Sequence, residues 1–246
     1  PFTGTWYGFM YSTGAVLWYL ITKHEIQRRQ GPIPPSGLPE LLFYGLIGGV
    51  IGARIGYVLF YNMAPFLEKP WDVVSFWKGG MSAHGWLAGM SIGGFLFIWK
   101  HRVNLRQLSD TVYLGLPVGL AFVKIGNFIN CEGYGRVTDL PWGVVFSSAG
   151  SAPRHPSQLY EAIFEGMLLF TVLWFVRCKP LRSGDLSCFF LLGYGMMRFF
   201  IEFTSVTEPV WGGKLGWLSS GQLLSLVVIG IGAIGYIIPR IGRFQR

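Results

Sequence analysis

Seven apolar stretches, each close to the length that crosses a lipid bilayer, run almost end to end along the chain. They are Trp6 to Thr22, Leu41 to Tyr61, Met81 to Trp99, Leu108 to Ile129, Leu159 to Val176, Leu186 to Phe203 and Gln222 to Ile238. Spanning a bilayer core of about 30 Å takes roughly 20 mostly apolar residues in a helix. No water is available there to satisfy backbone N–H and C=O groups, so a spanning segment satisfies them internally. The pattern predicts an all-α polytopic membrane protein with seven transmembrane helices. Pro117 interrupts the fourth stretch, which lipid-embedded helices tolerate when neighbours satisfy the freed carbonyl. Only 13% of the 246 residues are charged, about half the share usual in a soluble domain, which excludes an ordinary soluble enzyme. The 35 Gly and 10 Trp suit close helix contact and anchoring at the lipid interface.

The connections give the expected orientation. Lys23, Arg28, Arg29, Lys100, Arg102, Arg106, Arg177, Lys179, Arg182, Arg240, Arg243 and Arg246 fall on one side. Lys69, Lys78, Arg136, Arg154 and Lys214 fall on the other. The excess of cations marks the cytoplasmic face, so the amino terminus is expected outside and the carboxyl terminus in the cytoplasm. The net charge of +8 is spread over these small clusters without interleaved aromatics, which argues against nucleic acid as a partner. Cys131, Cys178 and Cys188 show no metal-ligand or redox spacing. No basic run precedes Trp6, so no cleavable signal peptide is expected, and a first residue other than Met suggests a trimmed amino end. No internal repeat is evident, which disfavours a transporter with duplicated halves. The organisation expected is one membrane domain over residues 1–246, with a small extracytoplasmic cap at about 131–158.

Three cations remain, Arg54, Lys124 and Arg198, each inside a predicted span or close to its end. Charge in that position is costly and faces a partner or a polar cavity, so these are functional candidates. Four clusters surround them. In Gly52-Ala53-Arg54-Ile55-Gly56-Tyr57, small residues allow close helix approach, and Arg54 either meets a buried anion or pairs with an acid as structural glue. In Gly79-Gly80-Met81-Ser82-Ala83-His84-Gly85, His84 is able to exchange a proton near neutral pH or to serve as a packing residue. The segment from Lys124 to Arg136 holds two cations, an acid and two amides: Lys124, Asn127, Asn130, Glu132 and Arg136. Lys124 and Asn127 share a helix face, and the set suits a phosphate group. In the fourth cluster, Tyr194 to Glu202, Arg198 and Glu202 are spaced for an intrahelical pair, which is either structural or a means of orienting the arginine.

Together these clusters carry a resemblance. Trp6-Tyr7-Gly8, Gly52 to Asn62, Gly79 to Gly85, Ile125 to Arg136, Arg154-His155-Pro156-Ser157-Gln158-Leu159-Tyr160-Glu161 and Tyr194 to Glu202 resemble the prolipoprotein diacylglyceryl transferase family, in the family's order. The resemblance implies a bacterial inner-membrane enzyme of seven helices that needs no cofactor and no metal. It would transfer the diacylglyceryl group of phosphatidylglycerol to the lipobox cysteine thiol of a preprolipoprotein. It also implies site residues. Lys124 and Arg198 would hold the lipid phosphate, and His84 with Tyr7 would take the thiol proton. Asn127, Glu132, Gly135, Arg136, Tyr194 and Glu202 would shape the headgroup site, and Arg54 would serve packing or lipid orientation.

The sequence departs from the family pattern at four places. Val123-Lys124 stands where Gly-Arg is usual, exchanging a planar fork for a point charge. His84-Gly85-Trp86 replaces His-Gly-Gly. Phe203-Thr204-Ser205-Val206 replaces an arginine-containing segment, and the stretch between Arg136 and Arg154 is short. Lys124 and Trp86 keep two alternatives open: a transferase-inactive paralogue that binds lipid or lipoprotein, and a divergent enzyme with another lipid donor.

Overall fold

The computed structural model describes residues 3–61, 71, 74, 82–206 and 218–241, with side chains described from Trp6 onward except those of Phe60, Tyr61, Ala83 and His84. Seven long helices lie among the described residues, one for each apolar stretch. They are α1 (Thr3–Arg29), α2 (Leu38–Tyr61), α3 (Ala83–His101), α4 (Leu105–Ile129), α5 (Ser157–Val176), α6 (Asp185–Ile201) and α7 (Ser220–Ile241). Five candidate spans meet the length and hydropathy needed to cross a membrane: Pro35–Leu59, Leu105–Ile129, Ser157–Val176, Asp185–Thr204 and Ser220–Ile241. α1 runs past the expected end at Thr22, because Glu25 and Ile26 are themselves buried and the Lys, Glu, Gln and Arg that follow are good helix formers. Lys23, Arg28 and Arg29 therefore ride on its last turns and not in a loop.

The chain forms two compact units, one of Pro1–Glu25 with Ser109–Arg246 and one of Ile26–Leu108. In the second unit α2 and α3 lie antiparallel in backbone contact. A Cβ added at Gly48 or Gly52 would collide with backbone atoms of Gly89 or Gly85, and one at Gly93 would collide with the carbonyl of Tyr44. This ladder of small residues permits the close crossing found in lipid-embedded helix pairs. The Ser82 hydroxyl caps α3 by accepting from the Gly85 N–H at 3.2 Å. Glu40 in the first turn of α2 meets Lys100 Nζ and His101 Nε2, each at 3.0 Å, at the end of α3. The Trp86 indole lies against α2, where a Cβ on Gly49 would sit 3.0–3.2 Å from its ring atoms. The large side chain is thus matched by a missing one on the facing helix.

In the first unit α1 packs on α4 through glycines: Gly14 meets Gly119, Gly115 meets Trp18 and Gly126 meets Met10 and Tyr7. α6 and α7 meet in the same way at Gly195, Gly232 and Gly235. Leu114, Leu169, Leu173, Leu186 and Phe190 form the apolar core. One end of this bundle is tied by ions. Arg177 pairs with Glu25 at 2.5 Å and stacks over Trp174, Arg240 pairs with Asp185 at 2.8 Å, and the Asp110 carboxylate accepts from the Gly184 and Ser187 N–H groups at 2.8 and 2.9 Å. Asp110 therefore caps α6 from another helix, where Gly184, at φ 96°, has no side chain to do so.

α7 shows which solvent the bundle is built for. Its inward positions are Gln222, Ser225 and Gly232, whereas Leu224, Val227, Ile231, Ile234 and Ile238 point outward. Water would reverse that distribution, and lipid favours it. After α4 the chain turns through Cys131 and Gly133, both at positive φ, and backbone bridges join Gly135 to Ser205 and Val137 and Val144 to Arg154.

Replacing Gly52 or Gly89 by Leu should force α2 and α3 apart and lower stability by about 1–3 kcal/mol, the usual cost of overpacking. Gly94→Leu, with nothing within 4 Å of its Cβ position, should leave the melting temperature in detergent nearly unchanged. Equal losses in all three variants would show that the glycine ladder does not set the contact.

Candidate functional site

The end of the first unit opposite the Glu25–Arg177 pair holds five charged side chains on three helices. Lys124 lies one turn before the end of α4. Glu161 and Glu165 lie on α5, where the helix widens into a π turn over Ala162–Leu168. Arg198 and Glu202 lie at the end of α6. A π turn inside a helix is uncommon and is found often at functional sites.

Glu161 is the centre of the group. One carboxylate oxygen accepts from Lys124 Nζ at 2.6 Å and the other from Arg198 Nη1. Arg198 Nη2 lies 3.0 Å from Glu202 Oε2, the i, i+4 pair expected from the sequence, and Nη1 lies 3.8 Å from Glu165 Oε1. The acids are buried, at 6% side-chain exposure or less, while the Lys124 and Arg198 side chains keep 24% and 26%. The cations therefore form the accessible side of the cluster, and the acids line its floor. Glu202 also accepts from the Ser219 hydroxyl at 3.0 Å, just before α7. A Cβ at Gly221 would collide with the Glu202 carboxylate, so that position has room for no larger residue. Glu165 Oε1 and Glu202 Oε2 are buried without a hydrogen-bond donor among the described residues.

The other sequence candidates fall into place around this group or apart from it. Tyr7 lies on α1 beside Gly126, within electrostatic reach of Lys124, and its hydroxyl is 2.6 Å from that of Tyr11. Tyr194, one turn before Arg198, lies within reach of Glu165 and Glu202. Asn127 and Asn130 follow Lys124, and their side-chain oxygens are buried without a hydrogen-bond partner among the described residues. Glu132 is exposed, and its backbone carbonyl accepts from Gln158 Nε2 at 2.6 Å. Gly135 is buried at a crossing where a Cβ would collide with Ser157, His155 and the carbonyl of Thr204. Arg136 donates from Nε to the Ser205 carbonyl at 2.8 Å, and its N–H donates to Thr204, so it ties the loop to the end of α6.

Arg54 and His84 belong to the second unit. Arg54 is 3% exposed, with its guanidinium 5.9 Å from the Tyr57 ring centroid, within the range of a cation–π contact. His84 occupies the second position of α3, and its side chain lies outside the described residues.

Glu161 and Glu165 are the residues that the sequence candidates omit. The signal was present: both are acids inside the fifth apolar stretch, where charge of either sign requires an explanation. Scanning only the cations within spans passes them over. No grouping of His, Cys, Asp and Glu among the described residues is suited to a metal ion.

Comparison with known proteins gives one consistent result. The description of the prolipoprotein diacylglyceryl transferase family matches residues 1–238. A phosphatidylglycerol–prolipoprotein diacylglyceryl transferase of Bordetella avium is 44% identical over 228 residues, covering 92% of this chain and 86% of its own length. Proteins of the same name from Methylococcus capsulatus and Chromohalobacter salexigens are 40% and 44% identical, covering 95% and 92% of this chain and 90% and 84% of their own lengths.

Glu161→Gln removes the charge that both cations share and leaves Lys124 facing Arg198. The variant should lose about 1–3 kcal/mol in thermal or chemical unfolding, the cost of unsatisfied buried groups. Glu132→Gln, at an exposed carboxylate, should stay within about 0.5 kcal/mol of the parent. A Glu161→Gln protein as stable as the parent would show that the shared carboxylate does not hold the cluster.

Proposed function

The chain belongs to the prolipoprotein diacylglyceryl transferase family, and we propose that it carries out that family's reaction in a bacterial inner membrane. The diacylglyceryl group of phosphatidylglycerol passes to the cysteine thiol of a preprolipoprotein lipobox. The thiol gives up its proton, its sulfur forms a C–S bond, and the C–O bond to phosphate breaks with the electron pair leaving on glycerol phosphate. The chain crosses the membrane seven times, amino terminus outside, and residues 131–158 cap the outer side. That orientation puts the ends of α4 and α6 and the start of α5 in the outer half of the bilayer.

The convergence of Lys124 and Arg198 on the two oxygens of one carboxylate carries this reading. A phosphodiester also offers two free oxygens to a pair of donors, and charge-assisted hydrogen bonds to both hold it and stabilise the charge that grows as glycerol phosphate departs. Arg198 supplies the planar fork and Lys124 a point charge. The resemblance gives the thiol proton to His84, with Tyr7 assisting, since the thiolate is the nucleophile. Asn127, Glu132, Gly135, Arg136, Tyr194, Glu202 and Arg54 support the lipid site. Lys124 in place of the usual arginine favours a second reading, a paralogue that binds lipid or lipoprotein without transfer, or one that uses another donor. Trp86, the second departure that favours it, packs its indole over Gly49.

The test supplies this protein to a bacterial host depleted of its own transferase, and supplies labelled phosphatidylglycerol and a lipobox peptide to purified protein. Thioether product is expected. Lys124→Ala and Arg198→Ala should each lower turnover about 100-fold or more, the loss seen when one transition-state donor is removed. Lys124→Arg should at least retain activity. No product from correctly inserted protein sinks the transferase reading in favour of the paralogue, and full activity in both alanine variants sinks the phosphate assignment.

A further inference from the structure

Among the described residues, the charges at the site do not balance for an anionic lipid. Three carboxylates, Glu161, Glu165 and Glu202, face two cations, Lys124 and Arg198. Fully ionised, the group is already one negative charge in excess. A phosphodiester entering it raises the excess to two in a buried setting, where like charges are disfavoured.

The three acids are not equivalent. Glu161 is held by both cations. Glu202 has the guanidinium at 3.0 Å and a hydrogen bond from Ser219. Among the described residues, Glu165, 1% exposed, has one ion contact, Arg198 at 3.8 Å, and its Oε1 accepts no hydrogen bond, as is also true of Glu202 Oε2. Other groups face it from each helix packed around it in this unit. α4 presents Lys124, α6 presents Tyr194, Arg198 and Glu202, and Tyr7 of α1 interacts with Lys124. Ser219, just before α7, donates to Glu202, and Glu161 lies one turn away on its own helix. Of the three, Glu165 loses least by becoming neutral, because the others would give up direct cation contacts.

We infer that Glu165 takes up a proton when the site receives the phosphate of its lipid, so that binding of phosphatidylglycerol is coupled to protonation of this one carboxyl. This rests on the assignment of Lys124 and Arg198 to the phosphate. The neutral carboxyl removes one negative charge from the floor of the site and gains an O–H to donate. Glu165 is a positioning residue in this scheme: it sets the charge of the phosphate site without touching the reacting bond. The sign follows from linkage. Lipid binding favours the protonated form, so affinity for the anionic lipid falls as pH rises, by up to tenfold per pH unit.

The experiment needs no turnover. The whole chain in detergent is mixed, without peptide, with micelles containing phosphatidylglycerol or, as reference, only phosphatidylcholine, in weakly buffered solution over a series of pH values. Proton uptake and lipid affinity are both recorded. The unmodified protein should take up about one proton per chain with phosphatidylglycerol at the pH of greatest uptake, and none with phosphatidylcholine. In Glu165→Gln, which fixes the neutral form, uptake should vanish and the slope of log affinity against pH should fall from near one to near zero. A merely structural carboxyl would leave that slope in place. Binding of phosphatidylglycerol without proton uptake by the unmodified protein overturns the inference, and so does undiminished uptake in Glu165→Gln. Should Glu165→Gln fail to fold, the proton count on the unmodified protein decides alone. Lys124→Ala and Arg198→Ala separate the two claims. If neither weakens binding, the phosphate assignment fails and takes this inference with it; if both weaken binding and no proton is taken up, only this inference fails.

Discussion

One carboxylate gripped by two cations organises one end of the first unit. Glu161 draws Lys124 from α4 and Arg198 from α6 to its two oxygens, and neither cation would otherwise sit beside the other in a low-dielectric interior. The local sequence serves that junction. Gly126 gives Tyr7 of α1 room against α4, Gly166 on α5 lies against Ala121 of α4, and Gly221 clears the space that the Glu202 carboxylate fills. Each glycine stands where a side chain would push a charged group out of reach, so close packing and electrostatics are one constraint in this unit.

The same unit carries a second ionic layer at its other end, with a different character. Glu25, Arg177, Asp110, Asp185 and Arg240 are committed to pairs and to a helix cap that hold α1, α4, α5, α6 and α7 in register. There each acid has its own partner: Arg177 for Glu25, Arg240 for Asp185, and the Gly184 and Ser187 N–H groups for Asp110. At the first end, among the described groups, three acids share two cations, and Arg198 reaches all three. A layer in which every acid has its own partner is structural glue, whereas one whose cations are shared leaves them placed to meet a further anion. Between them lies the apolar core, and the outward Leu, Val and Ile of α7 meet lipid, so both layers gain strength from the absence of water.

Much of this was legible in the sequence, and the omissions have physical causes. Hydropathy over a span length located all seven helices, because the bilayer thickness imposes one scale on every one of them. The end of α1 was misjudged because Glu25 and Ile26 are buried by tertiary contacts that local polarity does not report. Lys124, Arg198 and the local Arg198–Glu202 pair were visible, the last because i, i+4 spacing is written in the chain. The bond from Arg198 to Glu161 crosses 37 residues and was not visible, since no periodicity links separate helices. Trp86 read as an intrusion only because its complement, Gly49, lies on another helix.

The same geometry explains why lysine can stand where the family pattern has arginine. Arg198 distributes its two terminal nitrogens over Glu161, Glu165 and Glu202, a task that a planar, multi-donor group performs and a single ammonium does not. Lys124 makes one close ion contact, to one oxygen of Glu161, which a point charge satisfies. The fork is therefore needed on α6, where three acids surround the guanidinium, and on α4 one positive charge of the right reach is sufficient to hold the carboxylate. A phosphate meeting the two cations from their accessible side would ask the same of each: two directed donors from Arg198 and one charge from Lys124. The exchange of arginine for lysine thus falls at the member of the pair from which the site demands less.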